Sequence, residues 1–314
     1  MTDSKSSWDR YWAKGSAAAL PLSDNEQRQL GQFWQAQLLQ NTPKAMTSAV
    51  ELAAGAGDLT AQLMSFFGLY RPEPVLHAVD SSAQALHQLQ ARFERIQPLQ
   101  CDLAAVTLAD HSQQLVVSQF GIEYGGEAGF REAGRMVAVD GVLLLLVHHS
   151  DSEIFRQCAR NNRMIRFMQD EQFFTKVSHW FRVAQHDSAA TESEMAAARN
   201  ALMQALQHAQ RLLQQIGPVS RQIRQFYQDC AELAAKVRSY QLSELLDWLE
   251  RMQTELVDSQ QRGEAMQQVA MDYQQLDALC RAQWHPWQLQ YHIEPFELAG
   301  KTLGWFVKGN KKPA

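Results

Sequence analysis

The chain has 314 residues, 46% of them hydrophobic and 20% charged, which is apolar enough to bury a core and excludes a disordered segment. Its formal net charge of −5 argues against a broad nucleic-acid footprint. The four cysteines (Cys101, Cys158, Cys230, Cys280) are far apart and form no CxxC pair, so free thiols in a reducing cytoplasm are expected, with no zinc or other metal site and no disulfide frame.

Met1 to Arg10 is polar and reads as no secretory leader. The longest apolar run, Val142 to Val147, is far too short to span a bilayer. Trp8, Tyr11 and Trp12 then precede a helical stretch with Leu30, Phe33, Trp34 and Leu38 on one face, capped by Ser23 or Asp24. The three aromatics either pack an N-terminal helix against the core or form a lid over a ligand.

Ala49 to Leu59 predicts a buried strand, a glycine turn and the start of a helix. Gly55 and Gly57 let the backbone bend sharply and approach a ligand, because neither carries a Cβ. The helix N-terminus behind them presents open N–H groups. Glu51, at the strand end, is positioned to accept from a ligand amine. Strand, turn, helix and acid together describe a nucleotide-type cofactor site. A dinucleotide site would want glycine or alanine where Thr60 stands, and Asp58 would repel a pyrophosphate, so NAD is disfavoured.

Strands and helices then alternate. Val75–Val79 ends at Asp80, Ser81 or Ser82 caps the next helix, Ile96–Cys101 ends at Asp102, and Leu115–Val117 leads into Ser118-Gln119-Phe120-Gly121-Ile122-Glu123-Tyr124. A helix around Glu127–Ala138 and a turn at Asp140-Gly141 precede the strand Val142–Val147, apolar on both faces as a central parallel strand must be. Such alternation predicts a parallel sheet. Asp80 lies about 20 residues beyond the glycine turn, where a carboxylate commonly grips ribose hydroxyls.

The run Glu51-x-Ala53-x-Gly55-x-Gly57-Asp58 is similar to motif I of class I S-adenosylmethionine (SAM) methyltransferases, in which glycine is commoner where Ala53 stands. The Ala-x-Gly-x-Gly-Asp form resembles the ubiquinone/menaquinone C-methyltransferase branch, as does Phe120-Gly121. Ile122-Glu123-Tyr124 departs from that branch, so quinone specificity is not implied. The resemblance covers roughly residues 1–150 and the C-terminal tail. It implies a Rossmann-like seven-stranded α/β sheet and SAM as cofactor, with Glu51, Ala53, Gly55, Gly57, Asp80, Ser81, Asp102, Leu103 and Gln119 around it. Asp80 would take the ribose, and Asp102 and Leu103 the adenine. Methyl transfer to a phenol, enol or ring carbon needs a base. The candidates are Glu123 and Tyr124 after strand four and His148 and His149 after strand five, all on the carboxyl edge where ligands bind. Each histidine has a plainer alternative as a cap or loop hydrogen-bonder.

From Asp151 the alternation stops. Ser152–Val183 reads as one or two helices, broken at His186-Asp187-Ser188, which caps the next. Four heptad-like segments follow, carrying Met195 to Ile216, Val219 to Tyr240, Leu242 to Leu256 and, after Gly263, Met266 to Cys280. Short breaks imply antiparallel neighbours in a coiled-coil-like bundle. Arg160, Arg163, Arg166 and His179 are either solvated or placed to meet an acidic substrate. Gln288–Ile293 and Leu303–Lys308 form a hairpin through Ala299-Gly300, and 310–314 is a frayed tail. The expected organisation is a SAM-binding domain with a helical lid (1–150), an all-α insertion between strands five and six (151–285) and a hairpin completing the sheet (286–314). The expected activity is SAM-dependent transfer of a methyl group to an oxygen or carbon of a small molecule. The alternatives are a non-catalytic SAM-binding scaffold and a protein methyltransferase whose bundle docks its target. No nucleic acid or membrane partner is expected, and a homodimer or protein partner through the insertion is left open.

Overall fold

A computed structural model describes residues 2–13, 22–70, 72–185 and 191–311, and the side chains of these except 2–7. By internal contacts the chain divides into Met1–Phe155 with Gln268–Ala314, and Arg156–Gln267.

The first unit holds a seven-stranded Rossmann-like sheet, as expected. Its strands are β1 (Ser48–Leu52), β2 (Val75–Asp80), β3 (Ile96–Gln100), β4 (Gln113–Gln119), β5 (Val137–His148), β6 (Leu289–Leu298) and β7 (Lys301–Lys311). They lie in the order β3-β2-β1-β4-β5-β7-β6. The first five pair in parallel, and β7 runs antiparallel to both β5 and β6. Residues Leu143–Val147 are wholly buried, which is why this stretch is an unbroken apolar run.

Helices cover both faces. On one, α2 (Asp24–Asn41), α3 (Asp58–Phe67) and α4 (Ala83–Arg92) bury Trp34, Leu38, Leu63, Phe66 and Leu89 against β1, β2 and β4. On the other, α5 (Gly126–Met136) packs Phe130 and Met136 with Leu276, Cys280 and Trp284 of α11 (Tyr273–Trp284). Ser23, not Asp24, caps α2, in a capping box with Glu26. An N-terminal helix, α1 (Thr2–Ala13), carries Trp8, Tyr11 and Trp12.

The helical unit contains most of α6 (Glu153–Asp170), α7 (Phe173–Gln185), α8 (Glu192–Ile216), α9 (Arg221–Ala235) and most of α10 (Leu242–Val269). Its own core draws Met164, Phe181, Leu202, Phe226, Cys230 and Leu249 from these five helices. Thr191 caps α8 in a second capping box, with Glu194. The break expected at His186-Asp187-Ser188 lies outside the described residues. Among described residues no helix is long and apolar enough to cross a membrane.

Several boundaries differ from expectation. Asp140-Gly141 is not a turn ahead of the fifth strand. It is a bulge inside β5, with Asp140 at φ 60° and a register shift against β4. Gly263 does not stop a helix, and α10 runs through it. A single glycine weakens a helix by only about 1 kcal/mol, and here a Cβ would meet Asn162 Oδ1 at 2.8 Å. The break falls instead at 270–272, where Asp272 caps α11. The compact helical unit is therefore narrower than 151–285, because α11 belongs to the sheet: Trp284 stacks on Phe130 and donates to its carbonyl at 2.6 Å. Asn310 and Lys311, expected to fray, complete β7. The hairpin turns through Ala299 and Gly300, both at positive φ, the geometry of a type I′ turn.

Candidate functional site

β1 ends at Leu52, and the chain reverses through Ala53 (φ 56°), Gly55 (φ 53°) and Gly57 (φ 95°) into α3. Ala53 occupies left-handed space with a side chain, which accounts physically for glycine being commoner there. Gly57 is the N-cap of α3 and has no side chain to close the helix end. Asp80 meets this turn directly. Its Oδ2 accepts the Gly55 N–H at 2.8 Å and its Oδ1 accepts the Ser82 N–H at 2.8 Å. Burial pushes the Asp80 carboxyl up, and Asp9 on α1 adds to the effect, while the backbone N–H groups oppose it. Ser82, not Ser81, caps α4. The Cys101 N–H donates to the Asp80 carbonyl at 3.2 Å, which brings the end of β3 alongside. Asp102 closes its own turn by accepting from Ala104 N at 2.9 Å. Leu103 is buried among the apolar groups under α5.

Glu51 lies beneath the turn and is almost wholly buried. Thr60 donates its hydroxyl to Oε2 at 2.6 Å, and its backbone N–H also reaches the carboxyl. Burial raises the Glu51 pKa to about 8, aided by Asp58 and Asp80, against the opposing Thr60 bonds. The carboxyl is thus mostly neutral at neutral pH, with the Thr60 hydroxyl on its Oε2.

The aromatic face of α1 covers the glycine turn. Trp12 packs with Ala56 and Ala85, and a Cβ on Gly55 would lie 2.9 Å from its ring. Gln88 donates to the Trp12 carbonyl and Arg92 to the Ala56 carbonyl, so α4 holds both the helix and the turn. Trp8 stacks near Trp12 and meets Tyr124 edge-on at 6.3 Å.

Glu123 and His148 converge from β4's loop and the end of β5. Glu123 Oε1 accepts the His148 backbone N–H at 3.0 Å and faces His148 Nδ1 in hydrogen-bond contact. Both residues are buried, and Glu123 Oε2 has no hydrogen-bond partner. The imidazole also packs against the rings of Phe120 at 4.9 Å and Tyr124 at 6.2 Å. A carboxylate on Nδ1 selects the tautomer that leaves Nε2 as the basic nitrogen.

The remaining candidates stand apart. His149 stacks on Trp305 with centroids 4.2 Å apart, and its Nδ1 accepts the Asp151 N–H at 2.8 Å. Gln119 accepts from Trp34 Nε1 at 2.6 Å and lines a cavity of about 270 Å³ with Leu30, Asp58, Gln62 and Arg92. Arg166 pairs with Glu264 at 2.7 Å, and Arg160 donates to the Pro218 carbonyl at 2.7 Å. Thr60 and Phe120 were not expected at the site in these roles. The left-handed backbone of Phe120 (φ 53°) carries no signal in residue type. Thr60 could have been found from the i, i+9 spacing to an acid at a strand end.

No family model matches the chain, and no curated protein does. Among solved structures it is similar to phosphoethanolamine N-methyltransferase 1 of Haemonchus contortus, in complex with phosphoethanolamine and S-adenosylhomocysteine, at 19% identity and TM-score 0.38 over 48% of this chain and 32% of that one. An S-adenosylmethionine-dependent methyltransferase from Clostridium acetobutylicum matches at 17% and 0.34, over 41% and 52%. A possible exported protein from Bordetella parapertussis matches at 11% and 0.45, over 91% and 68%. The chain thus spans about half or less of the length of the two methyltransferases. Such distant likeness assigns no activity.

Proposed function

We propose that this chain binds SAM over the glycine turn and transfers its methyl group to an oxygen or carbon of a small molecule. The observation that carries the reading is the bond from Gly55 N–H to Asp80, at the sheet edge that also holds the Glu123–His148 pair. The donor set suits the cofactor. The Asp80 oxygens accept the Gly55 and Ser82 N–H groups, with the Ser81 N–H also acting on the carboxyl, and a carboxylate has lone pairs beyond these for a ribose hydroxyl. Gly55 and Gly57 bring the backbone close to a ligand, and Asp102 and Leu103 flank the adenine. Bound SAM supplies an electrophilic methyl group on a sulfonium.

His148 accepts the acceptor's proton at Nε2, while Glu123 holds Nδ1–H and stabilises the imidazolium that forms. Phe120 and Tyr124 exclude water around the imidazole, and Trp8 of α1 packs on Tyr124 in turn. His149 has a structural part, anchoring the end of β5 on Trp305. Ser81 follows Asp80 at the ribose, and Gln119 faces the cavity beside α2. The four free cysteines support a cytoplasmic setting.

Calorimetry against S-adenosylhomocysteine, with NAD as control and Asp80→Ala as paired variant, tests the cofactor. Micromolar binding lost in the variant is expected. No binding by folded protein overturns the reading. Binding with no turnover on any acceptor would favour a non-catalytic scaffold. His148→Gln should then abolish methyl transfer while leaving S-adenosylhomocysteine binding within a few-fold.

A further inference from the structure

Phe120 is a large buried side chain held at φ 53°. That conformation crowds Cβ against the following carbonyl oxygen, and glycine would adopt it without strain. Three contacts keep the backbone there. The Phe120 N–H donates to the Leu146 carbonyl at 2.7 Å, fixing it to β5 two residues before the imidazole. A Cβ on Gly121 would lie 2.4 Å from Ala53 Cβ, so this turn sits directly on the first residue of the glycine turn. A Cβ on Gly304 of β7 would lie 2.6 Å from Phe120 Cε1, so Gly304 is the socket for the ring. From that socket the ring meets His148 at 4.9 Å and 47°, with Phe296 at 6.5 Å behind it. Strain of this kind is retained where surrounding structure over-determines it and clusters at working sites.

We propose that Phe120 is a positioning residue, seated by Gly304 and Gly121, that holds the His148 imidazole on Glu123. The role rests on the reading of His148 as the base. Glu123 offers His148 two hydrogen bonds, from backbone and ring, but these alone leave the ring free to tilt about the Nδ1 contact. Phe120 and Tyr124 bound that tilt from two sides. Because the same turn touches Ala53, the placement of the base is tied mechanically to the turn that meets the cofactor.

The test is the tautomer of His148, read from ring 15N shifts in the full chain at a pH where the ring is neutral, and assigned with His148→Gln. Wild type and Phe120→Tyr should show the Nδ1–H tautomer alone. Phe120→Leu should lose that single-tautomer signature while melting cooperatively, and Phe120→Met takes its place if Phe120→Leu does not fold. A single tautomer in the folded leucine or methionine variant overturns the proposal. So does a tyrosine variant that behaves like leucine, since tyrosine keeps the ring that is proposed to hold the imidazole. S-adenosylhomocysteine binding by the same proteins reports separately on the cofactor, so failure of the positioning role and failure of the methyltransferase reading are distinguishable.

Discussion

Glu51→Gln isolates the buried carboxyl beneath the glycine turn. In the folded chain its pKa is about 8, raised chiefly by burial, and in the unfolded chain it returns to about 4.5. Between those values the native state keeps a proton that the unfolded state releases, so stability falls as pH rises. The contribution is fully present below about pH 4.5 and is lost as pH passes through 8. Its slope is about 1.4 kcal/mol per pH unit, and the whole is on the order of 5 kcal/mol. Glutamine keeps the volume, can accept the Thr60 hydroxyl and does not titrate. Urea denaturation followed by tryptophan fluorescence, from pH 5 to 9, should give similar stabilities near pH 5. The variant should become the more stable protein by several kcal/mol at pH 8.5. Titrating groups remote from Glu51 are common to both proteins and drop out of the difference, whereas Asp58 and Asp80, which act on its carboxyl, are coupled to the substitution. A wild-type-minus-variant difference that stays flat across this range would refute the account of Glu51 as a buried, neutral support.

Trp284→Phe removes the 2.6 Å bond to the Phe130 carbonyl in a fully buried site, and a loss of about 1–3 kcal/mol is expected in the same denaturation assay. Phe226→Ala empties the centre of the helical core, where the ring stacks on Trp248. A loss of about 3–5 kcal/mol, with faster amide exchange confined to α6–α10, would show that this core is a unit of its own. Gly55→Ala places a methyl 2.9 Å from the Trp12 ring at φ 53°. It should cost about 1–3 kcal/mol and shift the tryptophan emission as α1 is displaced, and unchanged emission would contradict the packing of α1 on the turn.

The sheet was legible because its signals are local. The glycine turn located β1, the acids Asp80 and Asp102 marked the ends of β2 and β3, and Ala299-Gly300 located the hairpin. The insertion announced itself by a change of period. The site was legible only in part. Glu123 and His148 could each be nominated from their places on the carboxyl edge, but their pairing crosses two strands and has no signature in either segment. His148 and His149 are equivalent in sequence, but His148 is the last residue of β5 and turns to Glu123, while His149 lies just beyond the strand and stacks on Trp305. Gly263 misled because an isolated glycine reads the same whether it ends a helix or admits a neighbour. The capture of Glu51 by Thr60 depended on how tightly the glycine turn folds back.

The place of β7 bears on how the protein is made. β5 ends at His148, yet the strand that completes its ladder begins at Lys301, beyond the whole helical unit. During synthesis Leu143 to Val147 must wait, with one edge of backbone unpaired, while the intervening helices emerge and settle through short-range contacts. A long apolar edge left open is a template for pairing with other chains, and non-local ladders close slowly. Slow emergence of the hairpin would therefore favour aggregation over a soluble partial fold, and the antiparallel strand slipped between β5 and β6 acts as the latch that ends this exposure.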